Sequence, residues 1–175
     1  MRLFPALVLA AVLAAPSAVP AQTKEAREGI TNFSRVDATV ACGGAVQTAA
    51  LAGLHKDGFK SIINLRLATE PGANVPEQTA EAKALGMNYF HLPLSGAAPD
   101  PKIVDQFLAV IADKANQPVF IHCASANRVG AVWLVKRVLQ DKYTIEQATA
   151  EAKAIGLSNP GLEKFALEYI AAAQR

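Results

Sequence analysis

Residues 118–133 read PVFIHCASANRVGAVW, and this stretch decides the fold. The apolar run Val119-Phe120-Ile121 predicts a buried strand. It delivers His122 and Cys123 into a loop of small residues, Ala124, Ser125, Ala126 and Asn127, which ends at Arg128. From there Val129, Val132, Trp133 and Val135 mark out a helix. A strand, a small-residue loop and a helix N-terminus together aim backbone N–H groups and the positive end of the helix dipole at one point, which suits an anion.

The loop begins with a cysteine and ends with an arginine. A helix N-terminus and a facing guanidinium favour the thiolate, which is the nucleophilic form of cysteine. The planar fork of arginine can hold two oxygens of a phosphate or similar oxyanion. Cys123 is therefore the candidate nucleophile and Arg128 the candidate holder, with the N–H groups of Ala124, Ser125, Ala126, Asn127 and Val129 placed to stabilise developing charge. A lone cysteine after an apolar strand would otherwise read as a buried small hydrophobe. Here His122, Arg128 and the strand-to-helix setting give it a chemical context.

The segment HCASANR resembles the active-site loop of the cysteine-dependent protein tyrosine and dual-specificity phosphatases. More closely, the chain from about Asn32 to Ile170 is similar to the bacterial phosphatase-like domains of the beta-lactamase-hydrolase-like family. The matching stretches are VACGGAVQTAALAGLHKDGFKSIINLR, EAKALGMNYFHLPL and the cysteine loop itself. That resemblance implies hydrolysis of a phosphomonoester through a cysteinyl-phosphate on Cys123, with Arg128 holding the phosphate. No cofactor and no metal is expected.

Three departures keep other chemistry open. Only four residues separate Cys123 from Arg128, fewer than in the wider superfamily and the spacing of rhodanese-like sulfurtransferases, so a persulfide on Cys123 is an alternative. Ala126 stands where the loop commonly has glycine; it resists positive φ, which Asn127 tolerates better. Val129 replaces the Ser or Thr that helps the thiolate leave. A non-catalytic oxyanion-binding module is the third reading.

Phosphate ester cleavage also calls for a general acid. The resemblance implies an aspartate after the strand at Tyr89–Leu92, where this chain continues from Pro93 to Asp100 with Ser95 or Gly96 nearest the family position. Asp100 is the only carboxylate in that loop and the candidate acid, although an aspartate before Pro101 is also a helix-cap signal. Glu70 is a substitute donor. Arg66 and Glu70 either face the anion or form a surface pair. His122 is expected to support the loop by hydrogen bonding to its backbone. Cys42, before Gly43-Gly44 at another strand end, is either a packed strand residue or a disulfide partner for Cys123 in an oxidising compartment.

Alternation of short apolar strands with helical stretches predicts an α/β sandwich of three layers with a largely parallel sheet, and ligands in such sheets bind beyond the strands' carboxyl ends. Residues 1–21, with Arg2, an apolar run from Leu3 to Ala15 and small residues up to Ala21, read as a signal peptide. Export is therefore expected, to the periplasm in a cell with two membranes. Residues 22–31 read as a flexible lead-in and 32–175 as one phosphatase-like domain. The formal net charge of +2 gives no reason to expect nucleic acid. The expected partner is a phosphorylated substrate, with no membrane span in the mature chain.

Overall fold

The computed structural model describes residues 22–175; the expected signal peptide lies outside the described residues. A six-stranded sheet forms the middle layer. Its strands are β1 (Thr23–Lys24), β2 (Ser34–Arg35), β3 (Val40–Gly43), β4 (Ser61–Asn64), β5 (Asn88–His91) and β6 (Val119–His122). They lie in the order β1-β2-β3-β6-β4-β5. β3, β6, β4 and β5 run parallel, and β1 and β2 extend the β3 edge antiparallel.

β3, β4 and β6 are buried at every position, as expected for parallel strands covered on both faces. Alternate side chains feed two cores. Ala41, Ile62 and Phe120 face α1 (Ala50–Lys56) and α2 (Val75–Ala84), with Leu51, Leu54 and Ala82 opposite. Cys42, Ile63, Ile121 and Cys123 face the larger core formed with α3 (Pro101–Ala112), α4 (Asn127–Leu139), α5 (Ile145–Ile155) and α6 (Pro160–Ala173). The result is the expected three-layer sandwich with a largely parallel sheet.

α4 follows the cysteine loop and is the central helix of that layer. It is buried almost throughout and packs on α5 and α6. Gly130 permits this approach, since a Cβ there would stand 2.7 Å from Leu157 Cβ and 2.8 Å from the Ala152 carbonyl. On its flank a buried ion cluster closes the layer. Arg137 Nε donates to Glu151 Oε2 at 2.6 Å and Trp133 Nε1 donates to the same oxygen at 2.9 Å.

Two boundaries differ from the sequence reading. The polar lead-in contributes β1 to the sheet, and Gln22 Nε2 donates to the Glu151 carbonyl. Its anchors are backbone pairing, the buried Ile30, and Arg27 stacked over Phe33 at 5.0 Å and paired with Asp57, none of which creates an apolar period. α2 begins at Val75, inside what reads as a Pro71–Pro76 loop. Pro76 sits in its first turn, where a missing N–H costs nothing.

Candidate active site

Parallel pairing brings four strand ends to one edge. Cys42 pairs with Ile121 and Gly43 with His122, while Asn64 lies between His122 and His91. Cys123 leaves β6 at this edge, its N–H donating to the Gly43 carbonyl at 3.3 Å. The turn into α4 is made by Ala126, with φ of 71° and ψ of −1°. Asn127, the residue better suited to left-handed backbone, is instead the first residue of the helix.

Its neighbours hold this turn. Asn127 Oδ1 accepts from Ser158 N at 2.7 Å, Asn159 N at 2.8 Å and Ser158 Oγ at 3.2 Å, tying the loop to the α5–α6 connection. Asn32 Nδ2 donates to the Ser125 carbonyl at 3.4 Å. Two glycines let backbone come close: a Cβ at Gly44 would stand 3.0 Å from the Ala124 carbonyl, and one at Gly156 2.9 Å from Ala126 Cβ. The loop is thus braced on both sides.

Among the described residues, none of the backbone N–H groups of residues 124–129 donates to a protein acceptor. Ala126 and Val129 are fully buried. Such a run of unpaired donors at a helix N-terminus forms a cradle for an oxyanion.

Arg128 completes the cradle. Its Nη1 donates to Glu70 Oε1 at 2.5 Å and to the Leu94 and Leu65 carbonyls at 3.1 and 3.2 Å; Nη2 donates to Glu70 Oε2 at 2.8 Å. Nε and the remaining Nη2 hydrogen have no protein acceptor among the described residues, so one edge of the guanidinium stays available for a bidentate ligand. Burial opposes the charge on Arg128, but its bonds to Glu70 and the field of Cys123 outweigh that and raise its pKa.

Arg66 and Glu70 are bonded into the Arg128 cluster and are not merely a surface pair. Arg66 is buried, its Nε donating to Glu70 Oε2 at 3.2 Å, and Nη1 and Nη2 donating to the Gly72 and Pro71 carbonyls. Glu70 Oε1 also accepts from Leu67 N at 2.8 Å. The Arg128 hydrogen bonds lead in holding the Glu70 carboxyl down to about 2, against the opposing effect of burial. A carboxylate so held has no proton to give at neutral pH, which removes Glu70 as a substitute acid.

His122 lies fully buried, stacked on Phe120 with centroids 5.9 Å apart. Burial, reinforced by Arg66 and Arg128, pushes its pKa down to about 3, so the ring is neutral. Among the described residues neither ring nitrogen makes a well-aligned hydrogen bond, but the ring lies against the backbone of Cys123 and Gly44, whose interaction with it opposes the lowering of its pKa. Asp100 Oδ1 accepts from Lys102 N at 2.9 Å and caps α3; the structure gives it no bond to the loop. Cys42 and Cys123 are both free and buried, and burial pushes the Cys42 thiol up.

Sequence reasoning missed the carbonyls of Leu65 and Leu94 as Arg128 ligands, and missed Gly156. The latter has a sequence signal, a glycine closing the apolar run of α5. A cleft of about 500 Å³ opens over Arg66, lined also by Thr31, Ala45, Gln47, Gly72 and Asn74; no residue of the cysteine loop lines it.

Residues 12–166 match the family model described as DSP-PTPase phosphatase fused to NAD+ Kinase. A curated relative, the beta-lactamase hydrolase-like protein of Agrobacterium fabrum (strain C58), is 32% identical over 111 residues. That match covers 62% of this chain and 25% of the relative, so the chain spans about a quarter of that protein's length. Among solved structures, a DUF442 protein of Shewanella putrefaciens CN-32 superposes with a TM-score of 0.70 at 19% identity, covering 83% of this chain and 92% of that one. The core catalytic domain of the PP-IP phosphatase SIW14 of S. cerevisiae gives 0.66 at 21% identity, covering 82% and 92%. At these identities the likeness is one of fold. The family match takes in the whole cysteine loop and the strands that position it, and the chain belongs to the DSP-PTPase family of phosphatases described as fused to NAD+ kinase, cysteine-dependent enzymes of the protein tyrosine and dual-specificity type.

Proposed function

We propose that the chain is an exported phosphatase that releases inorganic phosphate from a phosphomonoester through a Cys123 phospho-enzyme. The observation that carries this reading is the run of unpaired N–H groups at 124–129, closed by the free edge of Arg128, around the residue that follows β6. In the proposed reaction the cradle and Arg128 bind the three peripheral oxygens, and the Cys123 thiolate attacks phosphorus opposite the leaving oxygen. Charge building on the peripheral oxygens meets donors already in place. Water then displaces the sulfur. Arg66 and Glu70 act by orienting Arg128, and neutral His122 by filling the space beneath the loop. Export rests on the apolar run from Leu3 to Ala15 and the small residues after it; N-terminal sequencing of protein recovered from an exporting cell tests it, with Gln22 as the expected first residue.

Phosphate release from an activated aryl phosphate, measured beside Cys123→Ser and Arg128→Ala, tests the catalytic reading. Loss of activity in Cys123→Ser, with a phosphorylated wild-type enzyme trapped by rapid quench, is the expected result; equal release by wild type and Cys123→Ser would sink it. The four-residue spacing from Cys123 to Arg128 favours one rival, sulfur transfer, for which thiosulfate would leave a persulfide on Cys123 detectable as a 32 Da mass increase, approximately one sulfur atom.

A further inference from the structure

The reaction at Cys123 makes no use of the cleft that opens over Arg66. The polar side chains lining that cleft are Arg27, Thr31, Gln47, Arg66 and Asn74, with no carboxylate among them. The acids that pair with its two arginines stand outside the lining: Asp57 for Arg27, Glu70 for Arg66.

Neither guanidinium is saturated. Arg66 is 5% exposed, and its Nε, Nη1 and Nη2 each donate once to protein. That leaves one hydrogen on each terminal nitrogen without an acceptor among the described residues. Arg27 gives an Nη2 hydrogen to Asp57, and its other donors have no acceptor among the described residues. Asn74 holds the N-cap position of α2 but makes no side-chain cap bond, so its amide is uncommitted. Arg66 and Arg128 also share the single carboxylate of Glu70, so buried cations outnumber their counter-ion here. A concavity with surplus positive charge and unfilled N–H groups suits an oxyanion.

The cleft is tied to the cysteine loop from two sides. Arg66 Nε and Arg128 Nη2 donate to the same oxygen, Glu70 Oε2, at 3.2 and 2.8 Å. Thr31 Oγ1 and the Ala124 carbonyl both crowd the point where a Cβ on Gly44 would lie, the carbonyl at 3.0 Å. The wall between cleft and cradle is therefore one residue thick at Gly44. In the other direction the cationic lining stops, because the adjoining hollow that shares Arg27, Gly29 and Gln47 is also lined by Glu25 and Glu28.

Resting on the phosphatase reading above, we propose that the cleft over Arg66 is a second anion subsite, seating a carboxylate or phosphate carried by the part of the substrate that is not transferred. The substrate class is accordingly a phosphomonoester with a second anionic group a short distance from the first. No bond forms or breaks at the subsite. It acts by binding, so its effect appears chiefly in KM.

The test uses aryl phosphates that differ by one charge: meta- and para-carboxyphenyl phosphate, each against its carboxamide. Para-phosphonophenyl phosphate supplies a second phosphoryl-type anion that cannot be cleaved. At least one anionic substrate should exceed its carboxamide in kcat/KM by about 10-fold, what a charge-assisted hydrogen bond contributes, through a lower KM. The carboxylate and phosphonate arms then tell which anion the cleft takes. In Arg27→Gln with Asn74→Ala the ratio should fall toward one, while in Lys164→Gln, on the distant α6, it should persist. Taking the ratio within each variant cancels partial unfolding, which scales both substrates alike. A ratio near one for every pair in the wild type would overturn the proposal, as would a ratio that survives the Arg27 and Asn74 changes together. Calorimetry on Cys123→Ser, titrated with meta-carboxyphenyl phosphate and its carboxamide, reads the subsite without turnover. If the wild type releases no Cys123-dependent phosphate, the phosphatase reading fails; the subsite is then upheld by tighter, Arg27-dependent binding of the carboxylate and refuted by equal binding of the two.

Discussion

Glu70→Gln is the substitution that best separates the forces holding Arg128. The carboxylate is bound by two guanidinium groups and a backbone N–H, and its side chain is 21% exposed. Its pKa stands at about 2 instead of the ordinary 4.5. At about 1.4 kcal/mol per pH unit, that difference corresponds to about 3 kcal/mol of folding free energy; solvent screening at a partly exposed group lowers the expectation to about 2 kcal/mol. Because the folded-state value lies below the unfolded one, this contribution is fully present above about pH 4.5 and is lost as pH falls toward 2. Glutamine keeps the size and one acceptor but not the charge. The assay is urea unfolding of wild type and Glu70→Gln at pH 7, 5, 4 and 3. A gap of about 2 kcal/mol at pH 7 and 5, shrinking at pH 4 and smaller again at pH 3, is expected; a gap equally large at pH 7 and pH 3 would refute the charge argument, and no gap at pH 7 would refute the ion pair's contribution altogether. Loss of the orienting carboxylate should also raise the KM for a phosphoryl substrate, since Arg128 would no longer be fixed with its free edge toward the loop.

Other substitutions probe the loop and its supports. Ala126→Gly removes the left-handed strain at φ of 71° and should stabilise the fold by about 1 kcal/mol, read as a higher urea midpoint. Gly156→Ala would press a methyl to 2.9 Å from Ala126 Cβ at a φ of 148°; a loss of about 1–3 kcal/mol is expected, and Ala126→Gly in the same chain should recover part of it, a non-additivity measured by a double-mutant cycle. Glu151→Gln leaves Arg137, 6% exposed, without its closest counter-charge and should cost about 3 kcal/mol, with turnover per folded molecule unchanged.

The strand–loop–helix order of residues 118–133 was legible because it is written in local patterns. Val119-Phe120-Ile121 is a buried strand by composition, and Asn127–Leu139 a helix by a long apolar run without proline, its one glycine, Gly130, explained by close packing. Asp100 declared itself as a cap through the Pro that follows it, and the structure has it in that place. The ligands of Arg128 were not legible. Two are backbone carbonyls, Leu65 and Leu94, which any residue supplies; the third, Glu70, sits 58 residues away and reads locally as the i+4 partner of Arg66. Both pairings are real, so the local signal was correct and incomplete. The β1 pairing escaped for a related reason: a two-residue strand of Thr23 and Lys24 is specified by the neighbour it bonds to, and not by its own side chains.

The same distinction explains how a four-residue loop with alanine in its left-handed position can serve as an anion cradle. Positive φ at a non-glycine residue costs about 1–2 kcal/mol, and leaving the buried N–H groups of Ala126 and Val129 without acceptors adds to that. Within the loop only Asn127 Nδ2 donating to Ser125 Oγ at 3.3 Å offsets this, an exposed contact. The compensation lies in Asn127 bonded to Ser158 and Asn159, in Asn32 bonded to Ser125, and in the glycines at 44 and 156 that admit the neighbouring backbone. The loop is therefore braced by contacts made elsewhere, and on the proposed reading a bound oxyanion supplies oxygens for these N–H groups. A ligand that fills the cradle should accordingly raise the stability of the whole domain. Vanadate at 100 times its dissociation constant would add about 2.7 kcal/mol by mass action, an increment that Arg128→Ala should reduce and Glu151→Gln should leave in place.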